Sequence, residues 1–497
     1  MGLKVCVSLN AKNLADLFEL VECTPGSADL IEIRFDALDQ EELNLRSGTE
    51  SAPSRLLAEY PDKQFVFTFR PKSEGGFREI EDLERRRFWE ICGAPAFWDQ
   101  ESEFSKETKP DSSTKLITSK HFLEPLDALP PLNEIFGRGN EADLVKLAVA
   151  SKEPFDAISL MKLGNEEGII PISMGQRGMW TRVLAPVFEI PVVYASLRDD
   201  MSTAPGQLSY RKLTEVYRIR EITSNTDVYG LVGNSLSRSQ SPKLHNAIYR
   251  QMGLDAVYIP FECDELETFV KRMVKPSTRE IDLNIKGFAV TIPFKERIVD
   301  SLDFLDPVAE AIGAVNTVCV VGESLVGFNT DAEGFIRPML EAIGSPKNKR
   351  VAVFGSGGAA KACVYALRDA GAAVTVFTRN KAAGKSLAIQ FGCESRSLEA
   401  FEKQSEGFSI AVNATPLGSA GKLKNSTPAK ADQLKNFQLA YDLVYNPRST
   451  LFLREAEKAG VRAIGGLPML IRQGVLQIEI WTGQKVPANV TKNIPFD

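Results

Sequence analysis

The chain has 497 residues, of which 43% are hydrophobic and 25% charged, with a formal net charge of −6. This composition predicts a packed globular protein of roughly two to four domains. The acidic balance argues against electrostatic binding to nucleic acid or to an anionic membrane surface. No apolar run reaches the roughly 18 residues of a spanning helix, and Met1-Gly2-Leu3-Lys4 opens no secretory pattern, so a cytoplasmic protein is expected. Seven scattered cysteines without C-x-x-C spacing read as reduced thiols, neither disulfides nor metal ligands. Any imidazole chemistry must use one of two histidines, His121 or His245.

Strands are predicted at Leu3–Leu9, Leu30–Phe35, Gln64–Arg70, Ala96–Trp98, Lys115–Thr118, Leu144–Val149, Ile169–Ser173 and Pro191–Ser196. Helix-like stretches such as Ile80–Ile91 lie between several of them. Leu208–Glu221 reads as a helix after the last strand, and the polar stretch Glu101–Ser113 as a loop. Strands alternating with helices in this way predict an α/β fold, a compact (β/α)8 TIM-like barrel.

Arg34, Arg70, His121, Arg182 and Gln207 fall at or beyond the C-terminal ends of these strands, the face that carries the site in such barrels. Lys146 differs, because it sits inside an apolar strand and shares a face with Leu144 and Ala148. Facing inward, it would be desolvated and its pKa would fall, leaving an amine able to attack a ketone. Facing outward, it would be a snorkelling surface lysine. The strand alone leaves both placements open.

Glu32-Ile33-Arg34, Phe67-Thr68-Phe69-Arg70 with Glu74, Ser119-Lys120-His121, Val145-Lys146-Leu147, Thr181-Arg182 and Ala204-Pro205-Gly206-Gln207 occur in the order and spacing of a known family. On these pieces, residues 1 to about 221 resemble the type I 3-dehydroquinate dehydratases. The resemblance implies that Lys146 forms an imine with the substrate ketone. It implies that His121 removes the α-proton and helps expel the hydroxyl as water. Arg182 would grip the carboxylate, while Glu32, Arg34, Arg70, Thr203 and Gln207 hold ring hydroxyls and Glu74 orients His121. The segment is short for the family, so clipped barrel helices are expected. The second histidine that often follows the catalytic one is absent from His121-Phe122-Leu123-Glu124-Pro125.

A polar break, Ser224-Asn225-Thr226-Asp227, precedes a new strand from Val228. The hydroxyl-rich loop Ser237–Ser241 follows. Ser239 and Ser241 point to a polyol, or equally to a helix start with Pro242 in its first turn. His245 reads as a packing or capping residue of that helix. Lys295 lies just past the strand Gly287–Ile292. Asn316 and Asp331 follow near later strand ends. A Lys–Asp pair suits proton transfer, although each residue alone is also ordinary turn chemistry.

Val351–Phe354 runs into Gly355-Ser356-Gly357-Gly358-Ala359 and then a helix, a strand–glycine–helix unit that can cradle a pyrophosphate. The next strand, Ala373–Phe377, ends in Thr378-Arg379-Asn380-Lys381 with no acid. Arg379 there favours NADP over NAD. With Ile410–Gly418, Ala440–Pro447 and Gly465–Gln473, these motifs make residues 228–497 similar to the shikimate dehydrogenases. The resemblance implies Lys295 and Asp331 as the catalytic pair, and shikimate contacts from Ser239, Ser241, Thr291, Asn316, Tyr445 and Gln473. It implies NADP contacts from Gly355 to Ala359, Thr378 to Lys381 and Gly466. Ala289 stands where the family often has Asn or Ser. Ala383 stands where many relatives have a second phosphate-binding Arg, for which Lys381 or Lys385 can substitute.

The expected organisation is a barrel at 1–223, a substrate lobe at 224–330 completed by 466–497, and a Rossmann NADP lobe at 331–465. The reading is two consecutive enzymes acting on small molecules, without metal, nucleic acid or membrane partners, and compatible with a monomer. Rival readings are a catabolic NAD-dependent quinate/shikimate dehydrogenase fused to a dehydratase, and a metabolite-binding regulator without turnover.

Overall fold

The computed structural model describes residues 2–45, 50–105, 110–137, 141–492, 494 and 496. The chain divides into two compact units. One is Met1–Thr226 with Phe261–Glu265 and Glu280–Asn284; the other is Asp227–Pro260, Leu266–Arg279 and Ile285–Asp497.

In the first unit eight parallel strands run β1 (Lys4–Leu9), β2 (Leu30–Arg34), β3 (Phe65–Thr68), β4 (Phe97–Glu101), β5 (Lys115–Phe122), β6 (Leu144–Ala150), β7 (Ile169–Met174) and β8 (Val192–Ser196). Their order is β7-β6-β5-β4-β3-β2-β1-β8, a barrel closed except at the β7/β8 seam. Register places Ser8 beside Glu32 and Ser196, Thr68 beside Asp99, Glu101 beside Ser119, and Ser119 beside Lys146. Paired residues in a parallel sheet share a face, so these polar side chains all belong to the barrel interior. The alternate residues Val5, Val7, Leu147 and Val149 face outward and are buried against the barrel's outer layer. Each large apolar side chain so buried contributes roughly 1.5–3 kcal/mol.

Helices of two turns or more follow the first three strands, at Leu14–Cys23, Ala52–Glu59 and Asp82–Ile91. Later connections are clipped, to Leu132–Ile135 after β5 and Trp180–Val183 after β7. Two expectations are corrected. Leu208–Glu221 is not one helix: a π-helical turn at Lys212–Val216 ends, and Arg218 takes a left-handed φ of 52° before a 3-10 turn at Ile219–Glu221. The loop expected at Glu101–Ser113 loses its first residue to β4, and Glu101 is buried. Residues 106–109 of that stretch lie outside the described residues.

The second unit holds two sheets. The first contains β9 (Asp227–Gly233), β10 (Ala256–Glu262), β11 (Ile285–Val290), β12 (Phe304–Leu305), β13 (Thr317–Val321) and β14 (Ser324–Phe328), in the order β10-β9-β11-β13-β14-β12. The second contains β15 (Arg350–Phe354), β16 (Ala373–Thr378), β17 (Glu394–Ser397), β18 (Ile410–Asn413), β19 (Leu439–Asp442) and β20 (Arg462–Ile464), in the order β17-β16-β15-β18-β19-β20. That is the doubly wound order, with its reversal between β15 and β18. One face packs Val351, Val353 and Val412 under helices Asp331–Ile343 and Gly358–Asp369; the other packs Phe354, Phe377 and Phe401. Helix Leu467–Thr482 approaches helix Asp331–Ile343 closely enough that a Cβ on Gly334 would meet Gln473 Cβ at 2.9 Å. Among the described residues, no helix is long and apolar enough to cross a membrane.

Candidate active sites

Lys146 is an interior residue of the barrel and is 2% exposed. Its ammonium pairs with Asp99 and lies 3.9 Å from Glu32 Oε1. Burial alone would raise the Asp99 pKa, but the Arg70 guanidinium and the Lys146 ammonium outweigh it and hold the carboxyl at about 2. Arg70 donates to Asp99 at 2.7 Å, to Glu101 at 3.2 Å and to Ser119 Oγ at 3.1 Å. Arg85, from helix Asp82–Ile91, reaches the other Glu101 oxygen at 2.5 Å. The interior is therefore a compensated ionic network, as buried charges require.

Glu32 accepts from Ser8 Oγ at 2.6 Å and Thr68 Oγ1 at 2.9 Å. Gln207 donates to Ser8 Oγ at 3.3 Å and accepts from the Thr203 backbone and hydroxyl. Thus Glu32, Thr203 and Gln207 are joined by hydrogen bonds. Arg34 stands apart from that set, held bidentately by Asp36 and stacked 4.9 Å over Phe77. Arg182 is also apart: it is buried and donates to the Ser173 carbonyl, with no carboxylate partner among the described residues. Burial lowers its pKa to about 10. A buried guanidinium in that state favours an incoming carboxylate.

His121 lies near the C-terminal end of β5, one interior row above Ser119. Glu74 Oε2 accepts from the His121 backbone N–H at 2.7 Å and sits 3.3 Å from Nδ1, at an angle that completes no hydrogen bond with the ring. The Glu74 loop is folded back so tightly that a Cβ on Gly76 would meet the Arg70 carbonyl at 1.9 Å. Burial first, and then the cations of Arg70 and Lys146, push the His121 pKa well below 6.5. The imidazole is neutral, the state a general base needs.

In the second unit, one cleft of about 670 Å³ is lined by Ser239, Ser241, Thr291, Lys295, Asn316, Asp331, Tyr445, Gln473, Ala359 and Gly466. Lys295 pairs with Asp331 Oδ2, and Asn316 Nδ2 donates to Asp331 Oδ1 at 2.9 Å. The same Asn316 amide lies 3.4 Å from Gln473 Oε1. Asp331 opens helix Asp331–Ile343, where the helix dipole favours a carboxylate, and Asn329 caps its N–H at 3.1 Å. Ser239 Oγ accepts from the Ser241 backbone, so the first serine also tethers the helix that the second begins. His245 is packed rather than presented. It stacks on Tyr258 at 3.9 Å, contacts Ser241 O and Gln477 Oε1, and burial drops its pKa to about 4.

The glycine turn leaves β15 at the switch point of the doubly wound sheet. Gly355 has φ +112°, and a Cβ there would lie 2.9 Å from the Ala414 carbonyl beyond β18. Gly358 begins the following helix, where a Cβ would meet Lys295 Cβ at 3.0 Å, while a Cβ on Gly357 would enter open space. Bare backbone at a helix N-terminus beside the cleft fits a dinucleotide pyrophosphate. Ser356 Oγ lies 3.0 Å from Thr378 Oγ1, tying this turn to the end of β16, where Arg379 is exposed. Asn380 caps helix Lys381–Phe391, its side-chain Oδ1 accepting from the Ala383 N–H at 3.1 Å. Gly466 is remote from the turn in sequence, and a Cβ there would meet the Leu443 carbonyl oxygen at 2.1 Å.

Residues 5–224 match the family model for type I 3-dehydroquinase. Residues 231–318 match the shikimate dehydrogenase substrate binding domain, and 466–493 the shikimate 5'-dehydrogenase C-terminal domain. A bifunctional 3-dehydroquinate dehydratase/shikimate dehydrogenase, chloroplastic, from Arabidopsis thaliana is 32% identical over 491 residues, covering 93% of this chain and 78% of the relative. The chain belongs to this bifunctional family. A shikimate dehydrogenase (NADP(+)) from Methanopyrus kandleri is 36% identical over 54% of this chain and 95% of its own. A crystal structure of shikimate dehydrogenase from Aquifex aeolicus is 33% identical, covers 56% of this chain and all of its own, and has a TM-score of 0.49.

In the dehydroquinase segment, sequence reasoning missed Asp99 and Glu101, which hold Arg70 and Lys146 in place. The available signal was period two across Phe97, Asp99 and Glu101, which puts both acids on the face of the lysine. In the shikimate dehydrogenase segment it missed Gln477, which donates to Asn316 O and Thr317 Oγ1 and ties helix Leu467–Thr482 to the cleft. Four residues after Gln473, Gln477 shares its helix face.

Proposed function

We propose that the barrel dehydrates 3-dehydroquinate to 3-dehydroshikimate and that the second unit reduces this product to shikimate with NADPH. What carries the reading is that one chain holds both a buried lysine beside a neutral histidine and a Lys–Asp pair beside a glycine turn. In the barrel, the Lys146 ammonium and the substrate ketone give an iminium and water: the C–N bond forms, and two N–H protons leave with the carbonyl oxygen. His121 then takes the proton from the neighbouring carbon. It returns that proton to the β-hydroxyl, which leaves as water, and hydrolysis of the iminium frees the product. Arg182 binds the carboxylate, and Glu32, Arg34, Arg70, Thr203 and Gln207 order the ring hydroxyls, with Glu74 holding the His121 backbone.

In the cleft, Ser239, Ser241, Thr291, Asn316, Tyr445 and Gln473 hold the ring. Gly355 to Ala359, Thr378 to Lys381 and Gly466 would hold the dinucleotide, which in its reduced form, NADPH, supplies the hydride when bound. Lys295, positioned by Asp331, delivers the proton that neutralises the developing alkoxide. Support for NADP comes from Arg379 and from the lack of an acid at the end of β16. The dehydratase barrel is taken to span 1–223, the substrate lobe 224–330 with 466–497, and the NADP lobe 331–465. A cytoplasmic monomer is proposed, in keeping with seven scattered cysteines that lack C-x-x-C spacing.

Turnover of shikimate with NADP is expected to exceed turnover with NAD, and quinate is expected to be a poor substrate. Steady-state assays of the four combinations test this; faster turnover of quinate with NAD would establish the catabolic alternative instead. A second expectation concerns pH. Because the His121 pKa is depressed, its basic form persists as pH falls through 6.5, so the acid limb of kcat/KM for dehydration should lie well below that value. A limb at 6.5 or above would contradict a depressed general base.

A further inference from the structure

Tyr194 lies on β8, in register with Cys6 of β1, and so faces the barrel interior. It is 7% exposed. Its ring lies under the reactive amine, with Lys146 Nζ 4.5 Å from the ring centroid. Its hydroxyl is buried without a hydrogen-bond partner among the described residues. Burial raises the phenol pKa well above 10, so the ring stays neutral over the working pH range.

We propose that Tyr194 is a further catalytic residue of the barrel, acting through the face of its ring to hold the Lys146 nitrogen and to stabilise the iminium charge. The inference rests on the reading of Lys146 as the imine-forming amine. The chemistry explains why a ring is needed beside Asp99. The ammonium carries three N–H groups, and condensation with a ketone removes two of them as water is released. The iminium keeps the positive charge with a single N–H, so hydrogen bonding to carboxylates weakens as the reaction proceeds. Attraction to the ring quadrupole needs no N–H and survives the change. The nitrogen is held before and after the C–N bond forms.

The test replaces Tyr194 with phenylalanine and then with phenylalanines carrying one, two and three ring fluorines, which weaken the quadrupole with little change of shape. Two quantities are read on the full chain: the dehydration kcat, and the yield of borohydride-trapped adduct on Lys146 with 3-dehydroquinate. Tyr194→Phe should stay within about threefold of the natural protein, because the hydroxyl has no part. The fluorinated series should then fall stepwise, by about tenfold in kcat from zero to three fluorines, with adduct yield falling in parallel. Tyr194→Leu should lose at least as much, and the fluorinated series carries the test if the leucine variant misfolds. A flat series with the adduct intact overturns the role of Tyr194 and leaves that of Lys146 standing. A loss in Tyr194→Phe as large as in Tyr194→Leu also overturns it, by moving the role to the hydroxyl. No adduct on Lys146 in the natural protein overturns the Lys146 reading, and this inference with it.

Discussion

Borohydride added with 3-dehydroquinate is expected to leave a reduced adduct on Lys146, and Lys146→Ala is expected to abolish both the adduct and dehydration. The loss in kcat should be at least about a thousandfold, because the variant removes the covalent route and not merely a contact. The expectation follows from position. Lys146 is the interior lysine paired with Asp99, and Asp99 is itself fixed by Arg70. On the C-terminal side of Lys146 the next residue of β5 facing the interior is His121, so a ketone meeting the amine from that side lies beside the base. Peptide mapping after trapping locates the adduct; its persistence in Lys146→Ala would move the nucleophile elsewhere.

The second large effect is separable from the first. Lys295→Ala should lower ketone reduction by about a thousandfold, within the range lost with a general acid, and leave dehydration within about twofold. Lys295 is partly buried, with 14% of its side chain exposed, and is paired with an Asp331 that is 5% exposed. Asn316 and the start of helix Asp331–Ile343 fix that carboxylate. Removing the amine therefore deletes the proton donor while its support stays in place. Separate assays with 3-dehydroquinate alone, and with 3-dehydroshikimate and NADPH, check the prediction. Parallel loss of both activities would show a coupling that two independent sites do not have.

The barrel was legible in the sequence because its strands are apolar runs separated by polar turns, and all eight predicted runs are strands. The strand β4 was truncated in the reading, since Asp99-Gln100-Glu101 has the composition of a loop. It becomes a strand through tertiary pairing: Arg70, Arg85 and Lys146 arrive from other elements and neutralise the acids. A local pattern holds no trace of those partners. The helix expected at Leu208–Glu221 failed for a related reason, because its apolar spacing does not encode the left-handed turn at Arg218. Lys146 was ambiguous from its strand alone, and the register with Ser119 resolves it inward.

In the second unit the glycine turn was legible because its geometry demands glycine at Gly355 and tolerates little else. Lys295 and Asp331 were visible as residues after strands, but their pairing depends on the return of β14 beside β13 and then into the helix that Asp331 opens. Ser239 and Ser241 illustrate a false choice between ligand contact and helix start. One hydroxyl secures the helix, and both residues line the cleft.

The most direct test of two consecutive reactions on one chain is a single-pot assay of the purified full-length protein. Supplied with 3-dehydroquinate and NADPH and no other enzyme, it should form shikimate, with one NADPH consumed for each shikimate made. Accumulation of 3-dehydroshikimate without NADPH oxidation, or no consumption of 3-dehydroquinate at all, would contradict the account.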